Sequence, residues 1–222
     1  MADQVTEKLT PREKRRSDPD RVLTLTDGVF AIIITILVLD LKVPDLGSGQ
    51  SLGESLSEMR PTFVAFVISF LLVGLYWTLH RSMFAEVRYV DTKAVWLNLL
   101  FLLPTSMIPF AASVVGEYEN NAAALHLYGA VLILATLMRL ALYWYLTRHP
   151  GLMWEPATRQ SRRLGTVLAL APVVIYAIAM AVATLAPTLS LMLYFALPLL
   201  YLGAVAVLKA DPRTKVAAAD LS

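Results

Sequence analysis

Six stretches of this chain are each apolar for about the roughly 20 residues that a helix rising about 1.5 Å per residue needs to cross the hydrocarbon core of a bilayer. They run from Arg21 to Leu41, Thr62 to Leu79, about Trp96 to Val115, about Ala122 to Thr147, about Leu164 to Leu185 and about Leu189 to Leu208. Lipid offers no hydrogen-bond partners, so such segments must satisfy their own backbone, as helices do. With 57% hydrophobic and only 16% charged residues, the composition is not that of a soluble domain. The sequence therefore predicts an all-α membrane protein with six transmembrane helices per chain.

The connections fit that plan. Lys42 to Met59 is rich in Gly, Ser and Pro and must lie outside the hydrocarbon. Pro61 opens the second span in the first turn, where a missing N–H costs nothing. Pro104 and Pro109 predict a kink or break inside the third, and the length of the fourth implies tilt. Residues 1–20 read as a disordered cytoplasmic leader, 21–208 as the membrane domain and 209–222 as a cytoplasmic tail.

Charge fixes the expected sidedness. Six spans put both termini on one face, and 16 of the 19 Lys and Arg then fall on that face, with Lys42 and Arg60 opposite and Arg139 inside the fourth span. The positive-inside rule makes the basic face cytoplasmic. A five-span or seven-span arrangement would spoil the asymmetry.

Catalytic signals are missing. The chain has no Cys, and His126 and His149 stand alone without a ligand at metal-binding spacing. Neither a phosphate loop nor a nucleophile–base pair is present, so no enzyme activity and no cofactor are expected. The leader's Lys14-Arg15-Arg16, beside a first membrane span, reads as a topology signal meeting anionic lipid rather than as a nucleic-acid site.

The first span, RVLTLTDGVFAIIITILVLDL, is the most informative. At about 100° per residue, Leu25, Gly28, Ile32, Thr35, Ile36 and Leu39 share one stripe, while Asp27 points nearly the opposite way. Periodicity alone gives that stripe a lipid-facing or packing role. An acid about one and a half turns inside a span is expensive and faces protein or water, either as an ion or proton site or as a structural acid paired with a neighbouring helix. Trp77 and His80 close the second span and Asn98 opens the third, so all three can lie near the depth of Asp27. Thr35 either offers its hydroxyl to the stripe or bonds back to the Ala31 carbonyl. Asp40, at the non-cytoplasmic end, joins Asp45, Glu54 and Glu58 as acids able to concentrate cations or simply be solvated. Arg139 is expected to snorkel or to pair with an acid.

The run Arg21, three residues, Leu25-Thr26-Asp27, then GVFAI and LVLDL, resembles the first-helix signature of the transmembrane protein 175 family of potassium channels. The family pattern has Phe and Ser where this chain has Leu25 and Thr26. Trp96-Leu-Asn98-Leu-Leu-Phe-Leu-Leu-Pro is similar to the family's third span, whereas the last three spans match only in hydrophobicity. The resemblance implies a homotetramer with the first helix lining a central pore, and a constriction at Ile32, Ile36 and Leu39. It also implies a structural hydrogen-bond network joining Asp27 to Trp77 and His80. The implied function is passive potassium conduction, with ions held transiently near Ile32 and Thr35, in the plasma membrane. A proton-coupled transporter using Asp27, His80 and Asp40, and a non-transporting membrane scaffold, are the alternatives from other classes.

Overall fold

The computed structural model describes residues 18–43 and 51–210, with side chains as far as Tyr201. Most of the leader, Asp45 and the tail from 211 onward lie outside the described residues.

Helix α1 (Pro19–Leu37) begins two residues ahead of the apolar run, because Asp18 caps it through the backbone N–H of Asp20 (3.0 Å) and Pro19 suits the first turn. A 3₁₀ turn, Val38–Asp40, ends it. Then follow α2 (Leu52–Glu58), α3 (Arg60–Phe84), α4 (Thr92–Ser106), α5 (Ile108–Glu117), α6 (Ala122–Arg148), a 3₁₀ turn at Pro150–Leu152, α7 (Arg159–Val182) and α8 (Pro187–Ala210). Among the described residues five units are long and apolar enough to cross a membrane: Pro19–Asp40, Arg60–Phe84, Thr92–Glu117, Ala122–Arg148 and Arg159–Val182. Helix α8, 24 residues long, occupies the sixth expected span.

The third span is broken where its prolines predict. Met107 separates α4 from α5, and Pro109, in the first turn of α5, has no N–H to continue the ladder to Thr105. The Lys42–Met59 connection, in contrast, is not wholly irregular. Ser51 and Glu54 form a capping box: the Ser51 N–H donates to Glu54 Oε2 (2.9 Å), and the Glu54 N–H donates to Ser51 Oγ (3.3 Å). The Ser51 backbone N–H holds the Glu54 carboxyl below its ordinary range.

Helix α6 is the hub, packed against α4, α5, α7 and α8. Its Leu125, Tyr128 and Leu132 are buried beside Ile68 and Leu72 of α3, Tyr176 of α7 and Tyr194 of α8. Two of the buried phenols are paired at close quarters: Tyr128 Oη lies 2.8 Å from Ser69 Oγ, and Tyr194 Oη donates to the Leu125 carbonyl (3.0 Å). Gly129 is required here, since a Cβ would run into the Tyr194 hydroxyl and the Met180 side chain. A smaller core at the basic end gathers Val22, Phe84, Val90, Leu142, Leu146 and Leu152. The loops seal it, with the Arg88 N–H on the Leu152 carbonyl (2.8 Å) and the Trp154 N–H on the Glu86 carbonyl (3.0 Å).

Candidate functional site

Helix α1 packs against α3, α4 and α5 through one face only. Val22, Thr26, Phe30, Ile33 and Leu37 are buried at helical spacing. The opposite stripe is uncovered along its length: Leu25 is 50% exposed, Ile32 59%, Ile36 43% and Leu39 70%. Gly28 and Thr35 lie exposed on the same stripe, and a Cβ built on Gly28 meets nothing within 4 Å. The four apolar stripe residues named by the sequence therefore form one continuous ridge that the described residues of their own chain leave about half or more exposed.

Thr35 Oγ1 lies 2.9 Å from both the Ala31 and the Ile32 carbonyls. Its hydrogen is thus directed to the backbone, while the residue as a whole is exposed. The two readings of Thr35 are compatible: back-bonding fixes the rotamer, and a fixed hydroxyl oxygen is a weak cation ligand.

Polar ties hold the covered side and its flank, where Asp27 is exposed. Trp77 Nε1 donates to Asp27 Oδ1 at 2.7 Å, joining α1 to α3. Asn98 Nδ2 donates to Thr26 Oγ1 at 2.9 Å, and Asn98 Oδ1 lies 2.8 Å from His80 Nε2, which must carry the proton of that bond. Two arms therefore leave adjacent residues. Trp77 reaches Asp27, whereas His80 and Asn98 reach Thr26, because successive residues on α1 are turned by about 100° and only Thr26 faces α4. Thr26, Asn98 and His80 are all buried. The ring of His80 lies between those of Phe84 and Phe101, with centroids 4.4 and 5.5 Å away. The i, i+4 spacing of His80 and Phe84 was the available signal for the first of these stacks. Arg81 stacks likewise on Trp77, its guanidinium carbon 5.6 Å from the ring centre. Arg21 is exposed at the basic end of α1.

Asp40 lies in the 3₁₀ turn and lines a small cleft with Leu37, Thr62, Phe66, Ala112 and Ser113, between α1 and the α3–α5 pair. Arg139 behaves differently from expectation. It is only 8% exposed, its Nε has no partner among the described residues, and its neighbours are the phenols of Tyr76 and Tyr176 rather than a carboxylate. It pairs with no acid among the described residues, because it sits on the inward-facing side of α6. Tyr76 is anchored beside it by Thr136 Oγ1 (2.8 Å) and the Leu132 carbonyl (3.1 Å). Sequence reasoning missed this cluster, since nothing in spacing alone brings Tyr76 and Tyr176 to Arg139. His126 and His149 lie at hydrogen-bond distance from the carbonyls of Met180 (2.8 Å) and Tyr145 (2.7 Å). No group of three metal-ligating side chains exists among the described residues.

The family model described as the endosomal/lysosomal potassium channel TMEM175 matches residues 21–109, which carry α1 and both arms of the network. A Streptomyces collinus protein named a potassium channel is 36% identical over 144 residues, covering 63% of this chain and 69% of that protein. This chain belongs to the TMEM175 family. The crystal structure of a lysosomal potassium-selective channel TMEM175 homolog from Chamaesiphon minutus superposes with a TM-score of 0.73 at 25% identity, covering 82% of this chain and 95% of that one. The Gallus gallus member, named an endosomal/lysosomal proton channel, is 30% identical over 152 residues, but this chain covers only 30% of its length. The TMEM175 membership and the apolar helices together make this a multi-pass membrane protein.

Proposed function

We propose that the chain is one subunit of a homotetrameric, potassium-preferring channel whose pore is lined by the uncovered stripe of α1. One observation carries the reading: α1 is packed and tied on one face while Leu25, Ile32, Ile36 and Leu39 stand exposed on the other. Four such ridges facing a common axis bury one another's apolar surface and leave a narrow apolar tube. The names of the bacterial relatives support potassium as the permeant ion.

In that tube Ile32 is the constriction, with Ile36 and Leu39 one and two turns beyond. An apolar ring dewets when narrow and passes ions when slightly wider, so small movements of α1 gate it. A ring offering no ligands favours the ion that sheds water most cheaply, which is potassium over sodium. The Thr35 oxygens replace part of the lost hydration close to Ile32. Asp40 adds negative potential at the outer mouth. Conduction is passive, needs no cofactor and involves no nucleic acid; the partners are potassium ions, lipid and three further copies of the chain. Basic residues at the ends of α3, α4, α6 and α7 support cytoplasmic termini in a plasma membrane.

A proton pathway is the second reading, favoured by the name of the vertebrate relative, an endosomal/lysosomal proton channel. Its weakness is geometric: Asp27 bonds to Trp77 and His80 to Asn98, and among the described residues no hydrogen bond joins the two arms. Flux from purified protein in liposomes separates the readings. The channel predicts fast flux down a potassium gradient that exceeds flux down an equal sodium gradient. Saturable, proton-coupled uptake would replace it with a transporter, and no flux from intact oligomer with a scaffold.

A further inference from the structure

At the basic end of the bundle, between the last turn of α6 and the first two turns of α7, lies an open cavity of about 440 Å³. Arg148, Arg159, Arg162 and Arg163 line it together with Trp144 and Thr166. Among the described residues no carboxylate lies within 4.0 Å of these guanidinium groups, so four cations converge without a counter-ion from the described part of the chain. The walls are held in place. Trp144 Nε1 donates to Thr166 Oγ1 (2.8 Å), the Thr166 hydroxyl lies 2.8 Å from the Arg162 carbonyl, and Arg162 Nη1 reaches the Thr147 carbonyl (3.4 Å). Arg148 lies over the Trp144 ring, 4.9 Å from its centre, which fixes its guanidinium at the rim. The cavity touches the apolar flank of α7 at Val167, and Leu164 and Leu168 beside it are more than half exposed.

We propose that this cavity binds the phosphate headgroup of an anionic membrane lipid. Guanidinium forks match phosphate oxygens in pairs, and several of them around one cavity select an anion over a zwitterion. The exposed Leu164, Val167 and Leu168 supply the surface along which acyl chains run. Trp144 is the kind of amphipathic ring that sits at headgroup level. The site is independent of the pore assignment, and its test needs no ion flux.

The full-length protein is reconstituted in phosphatidylcholine vesicles carrying a minor fraction of either brominated phosphatidylglycerol or brominated phosphatidylcholine. The emission lost in Trp144→Phe isolates the signal of Trp144. Quenching of that signal is expected to be several-fold stronger with the anionic quencher. The preference is lost in Arg162→Gln/Arg163→Gln, as expected when two basic residues each worth about 1 kcal/mol, together about thirtyfold in affinity, are removed, and stays in Lys93→Gln on the same membrane face. If the double variant does not fold, Arg148→Gln/Arg159→Gln, both exposed side chains, takes its place. Equal quenching by the neutral lipid, or a preference that survives the arginine substitutions, overturns the proposal. Displacement of the anionic lipid by millimolar inorganic phosphate overturns the lipid assignment in favour of a free-phosphate site.

Discussion

Helices α1 and α7 both lie at the edge of the bundle, and each buries only part of its surface, yet they present different faces to the outside. Beyond its basic first turns, the exposed side of α7 is uninterrupted hydrocarbon, with Leu164, Val167, Leu168, Val174 and Ile178. The exposed side of α1 has a glycine and a hydroxyl set among its leucines and isoleucines, with Asp27 on the flank. Its covered side is tied through Trp77 and Asn98 by hydrogen bonds to two different helices. Exposure alone therefore does not mark a pore. The proposed pore rests instead on an uncovered ridge that carries polar oxygen, on a helix tied from behind.

The largest effect is expected where α1 is held. Asp27→Ala leaves the Trp77 N–H without its acceptor and removes a charge-assisted bond, a loss of about 2 kcal/mol that falls on assembly. Size-exclusion chromatography should show most of the oligomer lost, while the assembled remainder keeps its ion preference; altered selectivity in fully assembled protein would give Asp27 a role in permeation instead. Next comes the ridge. Ile32→Asn wets the constriction and should lower potassium-over-sodium preference by about tenfold, about 1.4 kcal/mol. The matched change on the other helix, Ile178→Asn, should leave reversal potentials where they were. If the two variants behave alike, the distinction between the helices is lost.

Thr35→Val keeps shape and removes the oxygen. Reversal potentials should shift by a few-fold in preference, about 1 kcal/mol, with current retained; no shift removes Thr35 from the ion path. The smallest effects separate covered from uncovered backbone. Gly28→Ala meets nothing within the described residues of its own subunit and should raise the melting temperature slightly, through about 0.5–1 kcal/mol of helix propensity. Gly129→Ala collides with Tyr194 and Met180 and should lower it.

Much of this was legible in the sequence, for identifiable reasons. Apolar length gave the spans, Pro104 and Pro109 gave the break at Met107, and the 100° turn gave the stripe that the structure leaves uncovered. What the sequence withheld was mostly a matter of tertiary neighbours. The Ser51–Glu54 capping box was present in the text of the chain but hidden in a Gly- and Ser-rich loop. Thr26, adjacent to the conspicuous Asp27, takes the Asn98 bond because of the orientation of α4, which no spacing reports. Arg139 looked like a residue in search of an acid, and only the packing of α3 and α7 around α6 surrounds it with tyrosine.

The absence of cysteine from the whole chain makes one experiment especially direct. A single thiol is introduced at Ile36 on α1 or at Ile178 on α7, and a water-soluble thiosulfonate reagent is added while potassium current is recorded. The account predicts progressive block at Ile36→Cys and unchanged current at Ile178→Cys. Full labelling of Ile36→Cys without loss of current would contradict it, because the stripe of α1 would then face something other than the ion path.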